Sequence, residues 1–203
     1  MRTFTFLLLG FFVSTVSTMS QPLSNDFYRE NWKLTEKFLE NGQYRSAYDL
    51  AKTITERAKS DQNTSEFIKG LMFRTRFVQS LEEKTFNDAM NEVRGEIASG
   101  LPNIKPVLHS IYAEMIWNHY QQNRWRYMNR TTTEGFQETD IETWDLRKIL
   151  TEAKTHFRAS VANPNALQQL PIGVFNAVVH RQGNPDVRPT LYDFIAHRAL
   201  AFF

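Results

Sequence analysis

The chain has 203 residues, of which 13% are aromatic and 23% are charged, and it contains no cysteine. Its formal net charge is only +2, so it lacks the excess of cations with which proteins bind the phosphates of nucleic acids. It also has no long block of like charges that would bind a membrane surface. Its length is enough for one domain with a substantial core.

The first twenty residues are typical of a secretory signal peptide. A cation near the start is followed by the apolar block Phe4–Val13 and then by small hydroxyl residues. The block of about ten residues is too short to cross a bilayer as a helix. We therefore predict export, cleavage after Ser20 or, as the second choice, Thr18, and a mature domain of residues 21–203 without a transmembrane segment.

The absence of cysteine bears on the compartment. An exported protein without disulfides is more typical of a bacterial periplasm than of a eukaryotic secretory route. The chain also lacks the cysteine to which a bacterial lipoprotein attaches its lipid. The expected location is the periplasm or cell envelope of a Gram-negative bacterium, without a lipid anchor.

Helical periodicity dominates the chain from Ser24 onward, and short alternating runs typical of strands are missing. The sequence therefore predicts an all-α fold. Gly42 and Gly100 mark helix ends, and Asn63 with Glu66 is a candidate capping box. The predicted helices carry apolar residues over Tyr28–Leu39, Tyr44–Ala58, Asn63–Leu81, Phe86–Ile97, Val107–Tyr120, Leu146–Val161 and Leu191–Phe202.

Loop signals separate the later helices. The segments 129–140 and 181–189 are polar and contain glycine, so loops are predicted there. Thr143 is predicted to cap the helix that follows it, and Asn163-Pro164 to end that helix. Residues 170–179 are short and apolar; a strand and a short helix both fit, and we favour the helix.

The first two helices carry a more specific pattern. Gly42 allows a tight turn and Ala47 a close approach, at the spacing of a tetratricopeptide-type hairpin. Phe86 and Ala89 echo this spacing loosely. We predict antiparallel helical hairpins in a tetratricopeptide-like α/α arrangement, divided into subregions 24–100 and 104–203. The residues that fit the pattern are Leu34, Phe38, Gly42, Tyr44, Ala47 and Ala51.

The sequence contains none of the common catalytic, phosphate-binding or metal-binding motifs. No pair among the five histidines has metal-ligand spacing, and there is no phosphate-binding loop and no cysteine nucleophile. His119 lies on an apolar stripe and is expected in the core, and a hydrogen bond to a neighbouring helix is expected for His197. Asp140 and Glu142 are expected as charges at a helix N-terminus. We predict no catalytic residue, no cofactor site and no metal site, and hence no enzyme.

Four aromatic residues form the candidate interaction surface, because Trp and Tyr dominate binding energetics. The alternative is that their rings join the long fifth helix to the helix after Thr143. Arg124, Arg126 and Arg130 are expected to anchor the neighbouring loop through oxygen acceptors or to stack on the rings. The four candidates are Trp117, Trp125, Tyr127 and Trp144.

Four sequence blocks, His109–Thr131, Asp140–Asp145, Leu170–Ile172 and Arg188–Phe203, resemble the N-terminal helical region of the very large bacterial alpha-2-macroglobulin-type proteins of the Bacteroidetes. In that family the helical region precedes a series of β-sandwich macroglobulin domains. The resemblance implies a role in periplasmic protease trapping and a protein partner, either the downstream domains or a protease.

The chain differs from the family pattern in features that bear on membrane anchoring and on protease trapping. The lipoprotein cysteine found in many members is missing, and so are the β-sandwich domains. The last helix ends on Phe202-Phe203 without a polar tail, so we expect a truncated form whose downstream domains are missing. The alternative is a stand-alone exported tetratricopeptide-like module that binds a glycan or a peptide. Neither the ligand nor the oligomeric state follows from the sequence.

Overall fold

The computed structural model describes residues 22–81, 85–100, 102–128, 139–175 and 189–203. These ranges contain nine α-helices and no β-strand; an isolated bridge joins Pro171 to Thr190. The prediction of an all-α fold of helical hairpins is confirmed. The helices are α1 (Pro22–Glu40), α2 (Tyr44–Ser60), α3 (Thr64–Phe77), α4 (Phe86–Ser99), α5 (Lys105–Gln122), α6 (Arg124–Met128), α7 (Leu146–Ser160), α8 (Pro164–Gln168) and α9 (Leu191–Phe202).

The α1–α2 hairpin turns at Gly42, as predicted. This residue has a φ of +70°, the left-handed region that glycine enters without strain. Its N–H donates to the carbonyl of Leu39 at 3.0 Å, which satisfies the end of α1. At the open end of the hairpin the Tyr28 hydroxyl donates to Asp61 at 2.8 Å, so the two helices are antiparallel.

Side-chain caps define most helix starts. Asn63 accepts from the backbone N–H of Glu66, as the sequence indicated, but the Glu66 carboxylate accepts from the Trp32 indole at 2.6 Å instead of closing a capping box. Reciprocal capping boxes occur at Thr85 with Asp88 and at Thr190 with Asp193. The Thr190 box begins the predicted C-terminal helix.

The predicted cap of α7 was wrong by two residues. Asp145 caps this helix by accepting from the N–H of Lys148, and Thr143 lies in a short 3₁₀ segment just before it. A carboxylate is at least as good a cap as a threonine hydroxyl, and both were present in the sequence. Asn163 does not end α7; it caps α8, with Pro164 in the first turn.

Helix α5 is the centre of the molecule. Ser110, Ile111, Tyr112 and Ala113 are consecutive and all buried, so this stretch of the helix is covered on every side. The predicted apolar stripe is therefore only part of its buried surface. Helix α4 packs on one side of α5, and α7 and α9 pack on others. The largest core cluster runs from Tyr28 in α1 to Ile195 in α9, so the subregions 24–100 and 104–203 share it.

Helix α9 packs with the face that the sequence predicted. Leu191, Ile195 and Ala199 are buried, and the ring of Phe202 lies 5.0 Å from those of Trp117 and Phe157. Within residues 170–175 the chain forms a 3₁₀ helix at Ile172–Phe175. The predicted signal peptide, most of the loop at 129–140 and residues 176–188 lie outside the described residues. None of the described helices combines the length and the apolarity needed to cross a bilayer.

Gly70 is the point of closest approach between α2 and α3. A Cβ atom added there would lie 2.2 Å from Oγ1 of Thr55, which is itself buried and hydrogen-bonded to the carbonyl of Ala51. Gly70→Ala should therefore lower the free energy of unfolding by about 1–3 kcal/mol, measured by urea denaturation.

Gly95 is the matched control for this substitution. It lies inside α4, is exposed, and has nothing within 4 Å of an added Cβ. Gly95→Ala should raise stability by about 0.5–1 kcal/mol through helix propensity alone. Equal effects of the two substitutions would show that the α2–α3 contact can relax around a methyl group.

Candidate functional site

The structure separates the four aromatic residues of the predicted interaction surface. Trp144 and Tyr127 are buried at 0% and 1% exposure. Trp117 is half-buried, with its ring 5.0 Å from that of Phe202. Only Trp125, at 73% exposure, faces solvent freely. The rings of Tyr127 and Trp144 thus join elements of the core, which was the alternative explanation, and they do not form a surface with Trp125.

The polar contacts around these rings also have a structural role. His119 of α5 is buried, with Nε2 2.9 Å from the Tyr127 hydroxyl and 3.4 Å from a carboxylate oxygen of Glu142. The Phe86 ring stacks on the imidazole at 4.8 Å. Arg126 donates to the other oxygen of Glu142 at 2.8 Å, which is the carboxylate contact expected for this arginine. Together these contacts attach α6 and the 141–143 segment to α5.

The remaining predicted polar residues occupy separate positions. Asp140 caps the 3₁₀ segment at Ile141–Thr143, as a charge at a helix start, and also accepts a hydrogen bond from Asn87. His197 is exposed on α9, and within the described residues it makes no hydrogen bond to a neighbouring helix. Among the described residues, no group of three or more histidine or carboxylate side chains is placed to hold a metal ion.

A groove between α3 and α5 is the candidate functional site. Its volume is about 440 Å³, which is within the range of sites that hold a ligand or the side chains of a partner. Apolar side chains form most of its wall, and all of them except the buried Ile111 are only half-buried. The apolar wall residues are Met72, Phe73, Phe77, Phe86, Ile111 and Met115.

The groove exists because α3 carries more apolar residues than one buried face requires. Phe67 and Leu71 fill the core side, while Phe73 and Phe77, one turn apart, line the groove. Their rings contact each other at 4.6 Å, and Phe73 also contacts Trp32 at 5.5 Å. The wall is therefore held in place from behind by aromatic packing.

Cations stand at the rim of the groove. Lys69 lies over the Trp32 ring at 4.3 Å and Arg76 over the Phe77 ring at 5.5 Å. Neither forms an ion pair with any residue in the described part of the chain. The carboxylate in the wall, Glu114, is paired with Arg198 of α9. The free charge of the groove is thus positive, which favours an acidic occupant.

Sequence reasoning did not find this groove. Its residues come from α3, from Phe86 at the start of α4 and from α5, and the pattern of no single helix predicts it. The available signal was the second apolar row on α3, Phe73 and Phe77, flanked by Met72, since an unbranched methionine adapts to irregular partners.

Comparison of the chain with protein-family models, with curated protein sequences and with solved structures finds no match. The site must therefore be interpreted from its own geometry.

His119 should make folding stability depend on pH. Burial lowers its pKa, and the nearby Glu142 only partly opposes this effect. The unfolded chain, whose histidines titrate near pH 6.5, then binds more protons than the folded chain below that pH. The contribution of His119 to stability should be complete above about pH 6.5 and should decline as the pH falls below that value.

Substitution of His119 separates its contribution to the pH dependence of stability from the contributions of other titrating groups. His119→Gln should flatten the decline in the free energy of unfolding between about pH 7 and 5, measured by urea denaturation at each pH. His197→Gln, which changes an exposed histidine, is the control and should leave the profile unchanged. An unaltered profile in His119→Gln would mean that the buried imidazole takes up its proton without cost.

Proposed function

We propose that this chain is a non-catalytic helical domain that works by binding protein, as the N-terminal helical region of a bacterial alpha-2-macroglobulin-type protein. The observation that carries protein binding is the groove between α3 and α5, with its half-buried Met72, Phe77 and Met115. The four sequence blocks between His109 and Phe203 support the family. In this proposal the protein contributes to periplasmic protease trapping as part of a larger assembly.

The chemistry of the groove defines its occupant. Half-buried methionine and phenylalanine side chains gain most from covering by further apolar side chains. Lys69 and Arg76 at the rim add an attraction for carboxylates. The occupant is therefore a protein segment with apolar residues flanked by acidic ones, and we assign it to the downstream macroglobulin domains. Reading the coding DNA beyond codon 203 tests this assignment, and β-sandwich sequence is the expected result.

A single substitution in the groove tests the contact. Met72→Asp places a carboxylate in the apolar wall, and it should weaken binding of the separately produced downstream polypeptide by about tenfold or more, measured by calorimetry. Leu150→Asp is the matched control, because Leu150 is an exposed leucine of α7 outside the groove. Melting temperatures of both variants report whether each has kept its fold.

A second candidate function rests on Trp125. Its ring is 73% exposed, with the Arg126 guanidinium 5.8 Å away, and such a ring can stack on a sugar or a peptide. This favours a stand-alone exported module that binds a glycan or a peptide. If partner binding is lost in Trp125→Ala and retained in Met72→Asp, the contact is made by Trp125, which would support this module and contradict the groove as the binding site. Equal binding by both variants and the unaltered chain would overturn both contacts.

Export is the part of the proposal that is tested most directly. The full chain, produced in a Gram-negative host, should appear in the periplasmic fraction with Gln21 as its first residue, because the apolar block Phe4–Val13 directs secretion. N-terminal sequencing of the fractionated protein gives this result. An intact Met1 in the cytoplasmic fraction would contradict export. Replacing Leu7 and Leu8 with arginine should abolish cleavage and serves as the control.

A further inference from the structure

Two histidines that are far apart in sequence meet across the α5–α7 hairpin. The Nδ1 atoms of His109 and His156 are 2.9 Å apart, and the ring centroids are 4.9 Å apart. Both residues are half-buried, with 15% of the His156 side chain still exposed. Neither histidine belongs to the groove or to the His119 contacts, so this pair is unused by the proposed function.

We propose that His109 and His156 together bind a divalent transition metal ion of the kind that imidazole prefers, such as Zn²⁺. Metal–imidazole bonds are about 2.0–2.1 Å long, so two nitrogens bound to one ion lie about 3.3 Å apart at the tetrahedral angle and about 2.9 Å apart at a right angle. The Nδ1 atoms are 2.9 Å apart, so a right-angled site needs no movement of the rings and a tetrahedral one needs them to separate by about 0.4 Å. The exposed edge of the pair leaves room for water molecules to complete the coordination.

Glu152 sets the protonation of one ring. A carboxylate oxygen of Glu152 lies 3.7 Å from Nε2 of His156, on the far side of the ring from His109. A carboxylate in this position favours the proton on Nε2 and leaves Nδ1 of His156 unprotonated, as it does for many metal-binding histidines. His109 then donates its Nδ1–H to His156 when no ion is bound. On binding, this proton moves to Nε2 of His109, so both rings stay neutral.

The surroundings support neutral rings and a moderate affinity. Burial lowers the pKa of both histidines, that of His156 to about 4, so a metal ion displaces no proton from an imidazolium at neutral pH. Positive charges nearby oppose a dication, and the carboxylate that favours it is shared with a lysine at 2.9 Å. The titratable groups that face the pair are Arg94 of α4, Lys105 and Tyr112 of α5, and Lys148 and Glu152 of α7.

Zinc binding to the full chain tests the proposal. The chain, carrying no polyhistidine tag, is dialysed at about pH 7.5 against ZnCl₂ up to about 0.5 mM, and its metal content is measured. One zinc ion per chain is expected. At about tenfold excess over Kd the melting temperature should rise by about 3–6 °C, and EDTA should reverse the rise. MgCl₂, an ion that prefers oxygen ligands, should have no effect.

Variants connect the zinc effect with the two rings. His156→Gln and His109→Gln should each abolish the zinc-dependent rise in melting temperature, whereas His197→Gln, a change at an exposed histidine, should retain it. Glu152→Gln should weaken binding by about 10–100-fold, since it removes only the carboxylate behind the ligand. Absence of zinc binding by the unaltered chain would overturn the proposal. So would a full zinc response in either of the first two variants.

Discussion

The burial of α5 on all sides is the constraint on which the rest of this structure depends. Four consecutive buried residues, Ser110–Ala113, cover the whole circumference of the helix, since successive residues are about 100° apart. This stretch therefore cannot lie at the surface, whereas Asn118, further along the helix, is exposed beside the groove. Each fully buried leucine or isoleucine contributes about 1.5–3 kcal/mol, so covering α5 is a large part of the stability of the fold. The hairpins before and after α5 are arranged around it for this reason.

Polar contacts decide how the outer helices are placed around that centre. Tyr28 with Asp61 and Arg198 with Glu114 are pairs between helices, and each joins residues far apart in the chain. Apolar contacts alone would tolerate sliding of one helix along another, because they have no direction. A hydrogen bond does have direction, so these pairs select one register from several of similar apolar burial.

The two candidate sites follow from this architecture in different ways. The groove lies between α3 and α5 beside Phe86 at the start of α4, so its wall is made mostly of side chains that a closer packing of these helices would have buried completely. The pair of His109 and His156 lies where α5 and α7 are in close contact, so its rings are held by the neighbouring Tyr112. A loosely covered apolar surface suits a protein segment. Two closely spaced nitrogens suit an ion.

The sequence alone determined the seven longer helices, the turn at Gly42, and the buried face of α9, because these depend on residues within one or two turns of each other; the short α6 and α8 were not predicted. It placed His119 in the core for the same reason. It also singled out Trp117, Trp125, Tyr127 and Trp144, but composition cannot tell an exposed ring from one that joins two helices. Only Trp125 is exposed, because Tyr127 and Trp144 are covered when α6 and the 141–143 segment close on α5.

Contacts between distant residues were decided by the tertiary structure. The groove requires side chains of α3, α4 and α5 to surround one space, and His109 meets His156 only because α7 runs antiparallel to α5. No spacing along the chain encodes either meeting. Local periodicity specifies which face of each helix is apolar, but which neighbour covers that face is settled by the packing of all the helices together.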